Sequence, residues 1–498
     1  MRFPRFFGIT GFLFSFSLSS AQQPVYINSF EKAEKYNTVT GKFGTALNLS
    51  QSAAIRTVIK ETCSLPTDKK SFSVSVWARA DKNLGQSYSI IQSLTKKAGT
   101  IHGWKIGVQA NGAWFWSLDD GKLHYDYYPT PKRQAINDGN WHQVTFSYDR
   151  EKEEVWLYYD GNNVAIIYVP GINKVSGDDL LIGGDSAGDF GEWETFNGYI
   201  DEIRIYDEVL TPQFVLKDGG FSQNKNGVAN YNGSVSVMNY NIWHGGRETG
   251  KETGVSRIVD IIKNSGADII SMQETYGSGP AIADALGYYF YLRSSNLSIM
   301  SRFPILETTD GYSSFYNGGA LIRLANNKKI LFFTNWLNYP LDYWDILEKS
   351  KPIDKSDWLK QQGNVNTKRL SEILTRIKPY LEITDSLPLI FCGDFNSGSH
   401  LDWIESTKHL NNGYAMSFPT SMLMQQSGFE DSFREIHPDP LKERGITWSP
   451  AFPNAFRDRI DYIYYKGKQL KPTRSFTINT HPVKYPSDHA AVVTVFNY

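Results

Sequence analysis

Cysteine is almost absent. Cys63 and Cys392 are the only two in 498 residues, and they fall in regions that read as different domains, so a disulfide framework is excluded as the source of stability. Cys392 sits in an apolar run and reads as a small buried side chain rather than a nucleophile. Excess charge is missing as well: the formal net charge is −1, which predicts no global attraction to polyanions but leaves room for a local basic groove. Long apolar runs are also lacking. The N-terminal one, Phe6 to Leu18, is interrupted by Gly8 and Gly11 and is shorter than the roughly 20 residues a spanning helix needs. Preceded by Arg2 and Arg5 and followed by Ser19-Ser20-Ala21, it reads as a cleaved secretory signal over residues 1–21. Secretion, extracellular or periplasmic, is therefore the expected localisation, with no stable membrane span afterwards.

What is present divides the chain in two, as its length alone leads one to expect. Over residues 22–215, short alternating runs such as Phe72 to Trp77, Trp104 to Val108, Trp141 to Tyr148 and Val155 to Tyr159 are separated by turn pairs. Asn111-Gly112, Asp120-Gly121, Asp138-Gly139 and Asp160-Gly161 are such pairs. This spacing predicts an all-β sandwich. Residues 216–233, polar and rich in Gly and Asn, read as an exposed linker. Residues 234–498 mix periods. Val255 to Ser265 and Arg369 to Ile377 have helical spacing, while Ala267 to Met272, Ile330 to Thr334 and Ile460 to Tyr465 read as strands. An α/β domain with helices covering its sheets is predicted.

In the first region, Gly41 to Leu47, Asp138-Gly139-Asn140-Trp141-His142, Leu157 to Gly161 and above all Gly198-Tyr199-Ile200-Asp201-Glu202-Ile203-Arg204-Ile205-Tyr206 resemble the concanavalin A-like, laminin-G-like jelly-roll family. The resemblance implies a module that attaches to glycans or proteins, in some members with Ca2+. Glu192-Trp193-Glu194 is an isolated acidic pair rather than a glucanase array. Trp104, Trp114 and Trp116 are read as core ahead of sugar-stacking surface, because aromatic residues supply core area in a sandwich.

The second region carries chemistry at the ends of its strand-like runs. Asn241, Gln273-Glu274, Gly393-Asp394-Phe395-Asn396, Arg459-Ile460-Asp461 and Ser487-Asp488-His489 each stand in or beside one. Oxygen ligands with one imidazole suit metal-assisted cleavage of a phosphoester, whose negative charge otherwise repels the nucleophile. Mg2+, or Mn2+, needs only one or two carboxylates and an amide oxygen. Asn241, Glu274 and Asp488 are the candidate metal ligands. Asp394 is the candidate to orient water and Asn396 to donate to the phosphate. His489 is the candidate to contact the phosphate or move the proton, with Asp461 holding its tautomer.

These blocks, in this order, resemble the endonuclease/exonuclease/phosphatase superfamily, with a deoxyribonuclease I-like four-layer α/β sandwich, over about Ser234 to Tyr498. The resemblance implies a divalent-metal-dependent phosphodiesterase or phosphatase. One departure stands out: where many members carry a phosphate-contacting His, this chain has Thr334-Asn335-Trp336-Leu337-Asn338. An indole donates one hydrogen bond and transfers no proton at ordinary pH. Trp336 thus occupies the slot, with Asn338 or Tyr339 as the candidate substitute.

Further candidates for substrate binding are His244, His400 and Arg459, with a helix-start role weighed equally for the segment around His400. The aromatic segments Tyr339 to Lys368 and Trp448 to Phe456 read equally as a lid over the cleft or as packing. Lys442, Arg444, Arg457, Arg459 and Lys484 could track nucleic acid. A phospholipid headgroup or phosphorylated sugar would need fewer cations. The competing expectation is a non-catalytic adhesion protein whose phosphoesterase domain has degenerated.

Overall fold

The computed structural model describes residues 22–31, 36–50, 59–61, 70–97, 99–173, 175, 177, 179–184, 195–222, 233–309, 311–340, 343–349 and 351–498. The expected signal, most of the expected linker, Cys63 and the Glu192 to Glu194 segment lie outside these residues.

The first region is a two-layer β sandwich. Strand Phe72–Ala80 lies between His142–Asp149 and Gly198–Tyr206, and His142–Asp149 is followed in the sheet by Glu154–Tyr159 and Asn162–Tyr168. Tyr88–Lys97, Thr100–Val108, Trp114–Asp120 and His124–Tyr127 belong to the facing sheet. The turn pair between Glu154–Tyr159 and Asn162–Tyr168 is a tight hairpin with both residues left-handed, Asp160 at φ 48° and Gly161 at φ 73°, as this turn type requires. Trp104, Trp114 and Trp116 are at most 1 % exposed and pack with Phe72, Val74, Val144 and Phe146 between the sheets. They are core, as their placement in a sandwich predicts.

The second region holds two further layers of strands with helices outside them, the deoxyribonuclease I-like arrangement. Ser234–Asn241 runs parallel to Ile269–Gln273 and antiparallel to Ala491–Asn497. Lys329–Trp336 runs parallel to Leu389–Asp394, which pairs antiparallel with Asp461–Lys466. Val235, Val237 and Ile269 of one layer meet Ile330, Phe332, Ile390, Cys392 and Ile463 of the other. Helix Thr253–Ser265 places Ile258, Ile261 and Ile262 on the outer face of the first layer and ends on Gly266 at φ 70°, a left-handed stop that glycine adopts without strain. Helix Lys368–Arg376 covers the second layer through Leu370 and Ile373.

The two regions are not separate bodies joined only by a linker. Asn162–Tyr168 lies parallel beside Tyr289–Leu292, with Ile166 opposite Tyr291 and Ile167 opposite Leu292, so one sheet runs through both. Among the described residues, no helix is long and apolar enough to cross a membrane.

Candidate active site

The strand registers bring the sequence candidates to one edge. Asn241 is the in-register partner of Gln273, Trp336 of Asp394, and Asp394 of Asp461. The two layers therefore end together, one presenting Asn241 and Glu274, the other Asp394 and Asp461. His489 enters from the segment preceding Ala491–Asn497. It is anchored by Ser487, whose Oγ donates to the Asn241 carbonyl at 2.7 Å and accepts the His489 N–H at 3.1 Å.

His489 is 4 % exposed, with Nδ1 2.8 Å from Asp461 Oδ2 and Nε2 3.9 Å from Asp394 Oδ2. Asp461 Oδ1 accepts from Asn239 Nδ2 at 3.3 Å, and Asn239 Oδ1 accepts from Gln273 Nε2 at 2.9 Å. The Trp448 ring meets the imidazole edge-on, centroid to centroid 5.1 Å. Burial disfavours a charged imidazole, yet Asp461, Asp394 and Asp488 outweigh it and hold the His489 pKa well above its ordinary value. Burial pushes the Asp394 carboxyl far up, opposed by His489 and assisted by Asp461. Burial also raises Asp488, to about 6, and Glu274 adds to the rise through its nearby charge. Crowded carboxylates of this kind mark functional sites.

That crowding is what a dication would relieve. Asp488 Oδ1 is buried with no hydrogen-bond partner, and the donors are hard oxygens, which suit Mg2+ or Mn2+. Asp394, Asp461 and His489 also present atoms within 4.8 Å of one another. Within that trio, however, His489 Nδ1 and Asp461 Oδ2 already bind each other. Glu274 and Asp488 are the better-fitting carboxylate ligands.

Several candidates are placed differently from expectation. Asn241 turns its amide nitrogen into the site, donating to Glu274 Oε1 at 3.2 Å and Asp394 Oδ2 at 3.1 Å, while its oxygen accepts the Trp243 N–H. It spaces the two carboxylates instead of offering an oxygen to a metal. Asn396 donates through Nδ2 to Leu337 O at 2.7 Å and Asp394 Oδ2 at 3.3 Å, so it braces Asp394 rather than reaching for phosphate. Arg459 is 1 % exposed and ion-paired to Asp402 at 2.8 Å and Asp431 at 2.8 Å; it is part of the interior. His400 bonds Ser421 Oγ at 2.8 Å and Gln425 Oε1 at 3.0 Å, which ties it to helix Pro419–Gln426 rather than to the carboxylates. Trp344 meets Trp358 edge-on, and Trp358 in turn packs on Trp403 and Phe418, so these two tryptophans serve as packing.

His244 is exposed beside the site, with Nε2 3.8 Å from Glu274 Oε2. Trp336 stacks on Tyr316 at 6.2 Å and meets Phe315 edge-on at 5.5 Å. Asn338 is half-buried next to Leu337, the residue whose carbonyl Asn396 holds.

Sequence reading passed over Asn239 and Asn296. Asn239 precedes Asn241 by two residues on one strand and so shares its face, a signal available in the sequence. Asn296 is fully buried, and its Oδ1 accepts the Glu274 N–H at 3.0 Å. It is a loop residue with no such periodic cue.

Residues 238–489 match the Endonuclease/Exonuclease/phosphatase family. The chain belongs to that family. Residues 56–215 match the Concanavalin A-like lectin/glucanases superfamily. A Caenorhabditis elegans protein described as uncharacterized is 29 % identical over 296 residues, covering 53 % of this chain and 91 % of that one. Among solved structures, the chain is similar to an AP endonuclease from Archaeoglobus fulgidus, with 17 % identity, 53 % of this chain and 100 % of that one covered, and TM-score 0.37. It is also similar to a mannosyl-6-phosphatase from Bacteroides thetaiotaomicron, with 16 % identity, 53 % and 100 % covered, and TM-score 0.36.

Proposed function

We propose that this family member is an exported hydrolase of small phosphoesters that works with Mg2+ or Mn2+ and carries a glycan- or surface-binding first domain. The observation that supports it most is the Asp461–His489–Asp394 relay lying beside the Glu274 and Asp488 carboxylates. Glu274 and Asp488 would hold the dication, which supplies positive charge to the phosphoryl oxygens. Asp394 orients water, with Asn241 and Asn396 fixing its carboxylate. His489, kept in one tautomer by Asp461, directs Nε2 toward the reacting centre and carries the proton.

A small phosphoester is favoured over nucleic acid by the fate of the basic residues. Arg459 is consumed by internal ion pairs, and the half-buried Arg444 donates to the Arg457 carbonyl at 3.0 Å, so one of the five candidate cations is interior and a second is engaged by the protein's own backbone. Export is supported by the N-terminal segment Arg2 to Ala21.

The test is a phosphoester panel with Mg2+ or Mn2+, with and without chelator, over a salt series. Turnover of bis(4-nitrophenyl) phosphate or a phosphomonoester that chelator abolishes and salt barely changes is the expected result. Steep salt inhibition would point to nucleic acid. Glycan-array binding with no metal-dependent turnover would establish the adhesion alternative instead, which the Trp336 substitution alone favours.

A further inference from the structure

We propose that the first domain is a working part of the phosphoesterase: its Tyr168 clamps Arg293, and Arg293 together with Asn296 positions Glu274. The proposal rests on the metal-dependent reading of the site.

The strand Asn162–Tyr168 forms the edge of the first domain's sheet and continues into Tyr289–Leu292. The next residue is Arg293, only 6 % exposed, with its guanidinium 4.0 Å above the Tyr168 ring. A buried cation over an aromatic face is held by the ring's quadrupole. Its remaining donors face into the second domain, Nε to Asn317 O at 3.2 Å and Nη2 to Tyr312 O at 3.1 Å. The residue thus bridges the seam, with a first-domain ring on one side and second-domain carbonyls on the other.

Arg293 opens the turn that carries Asn296. The Arg293 N–H donates to Leu297 O at 2.9 Å, and the turn then grips the backbone around Glu274. Glu274 N–H donates to Asn296 Oδ1 at 3.0 Å, Thr275 N–H to Asn296 O at 3.0 Å, and Tyr276 N–H to Ser295 O at 2.7 Å. That grip has a reason. Glu274 is left-handed at φ 56°, a conformation a non-glycine residue keeps only when its surroundings impose it.

The same two residues hold the opposite rim. Asn296 Nδ2 donates to Phe315 O at 2.9 Å, and Arg293 holds the carbonyls at both ends of the Tyr312 to Asn317 loop. Phe315 and Tyr316 of that loop pack on Trp336, the in-register neighbour of Asp394. A displacement at Tyr168 therefore reaches both the metal-ligand side and the Asp394 side. Residues that orient a metal ligand from outside govern affinity by about 10- to 100-fold.

The experiment uses the full chain with Tyr168→Leu, which keeps apolar bulk and removes the ring, and Thr130→Ala as control. Thr130 Oγ1 bonds Asp284 across the same seam, but by a contact that touches neither Arg293 nor Asn296. Mg2+ or Mn2+ binding is read by calorimetry, kcat and KM by hydrolysis, and folding by thermal melting.

Tyr168→Leu is expected to weaken dication binding about tenfold and to lower kcat with KM little changed. Thr130→Ala should lower only the melting temperature. If Tyr168→Leu fails to fold, Arg293→Lys takes its place, since a lysine keeps the charge without the planar fork that spans ring and carbonyls. Wild-type dication affinity in the tested seam variant, or equal weakening in Thr130→Ala, overturns the proposal, as does a wild-type chain that binds no dication. A chain that binds the metal but hydrolyses nothing would sink the phosphoesterase reading alone, because the calorimetric arm stands without turnover.

Discussion

His489 Nδ1 lies 2.8 Å from Asp461 Oδ2, and Asn239 Nδ2 takes the other Asp461 oxygen at 3.3 Å. A carboxylate held from both sides cannot swing away, so the imidazole presents Nε2 toward Asp394 throughout. Asp461→Asn keeps the shape and removes the charge that fixes the tautomer. It is expected to lower kcat on bis(4-nitrophenyl) phosphate by about 10²–10⁴-fold, the range general acid–base groups contribute, while dication binding by calorimetry is retained. Unaltered kcat in this variant would remove His489 from the reaction.

Arg459 gives a prediction of the opposite kind. Its guanidinium bonds Asp402 and Asp431 and lies 4.7 Å over the Tyr462 ring, with no route to substrate. Arg459→Ala leaves the buried Asp431 carboxylate without its ion pair and Asp402 with Arg434 as its remaining cation, which costs about 3–5 kcal/mol of stability. The melting temperature should fall sharply, and KM of the protein that remains folded should not change. A raised KM with unchanged melting would return Arg459 to the substrate.

These two arginine and histidine outcomes show what could be read from the chain. His489, Asp461, Asp394 and Glu274 were legible because each stands in or beside a short apolar, strand-like run, and strands that share a register deliver their ends to one edge. Arg459 was misread because its burial depends on Asp402 and Asp431, whose proximity no local pattern announces. Asn241 was placed correctly, but the direction of its amide is set by the Trp243 N–H, a tertiary detail. The seam between Asn162–Tyr168 and Tyr289–Leu292 was invisible for a similar reason. Parallel pairing between segments more than a hundred positions apart leaves no periodic trace, and a Gly- and Asn-rich stretch between the domains suggested separation instead.

The first domain has its own pH response. His142 lies 2.8 Å from Asp160 Oδ2 through Nδ1 and 3.0 Å from Asp138 Oδ1 through Nε2. Burial disfavours its charge, but the hydrogen bonds to Asp160 and Asp138 prevail and raise its pKa above the ordinary 6.5. A folded-state pKa above the unfolded one means stability that is fully present below the unfolded value and lost as pH rises through the folded one. Denaturation midpoints should therefore fall on going alkaline. His124 and His489 titrate in the same direction, so the check is the difference between wild type and His142→Gln. The variant's midpoint should vary less with pH, and parallel curves would show that the His142 pair contributes nothing.

Trp336 and Asp394 are in-register partners on adjacent parallel strands and so face the same side of the sheet. The indole packs on Tyr316 and Phe315 and has no proton to give, which leaves the leaving oxygen without an acid from this direction. The deficit matters little for a 4-nitrophenolate, which departs readily as an anion, and much for an alkoxide. Trp336→His is therefore expected to raise the rate on an alkyl phosphoester by about tenfold relative to the 4-nitrophenyl ester, a small part of what a fully placed acid supplies. The ratio of the two rates is the measurement, since it cancels any loss of ring packing common to both substrates. An unchanged ratio would show that position 336 does not reach the leaving group, and that Asn338 or Tyr339 must be examined as the residue that does.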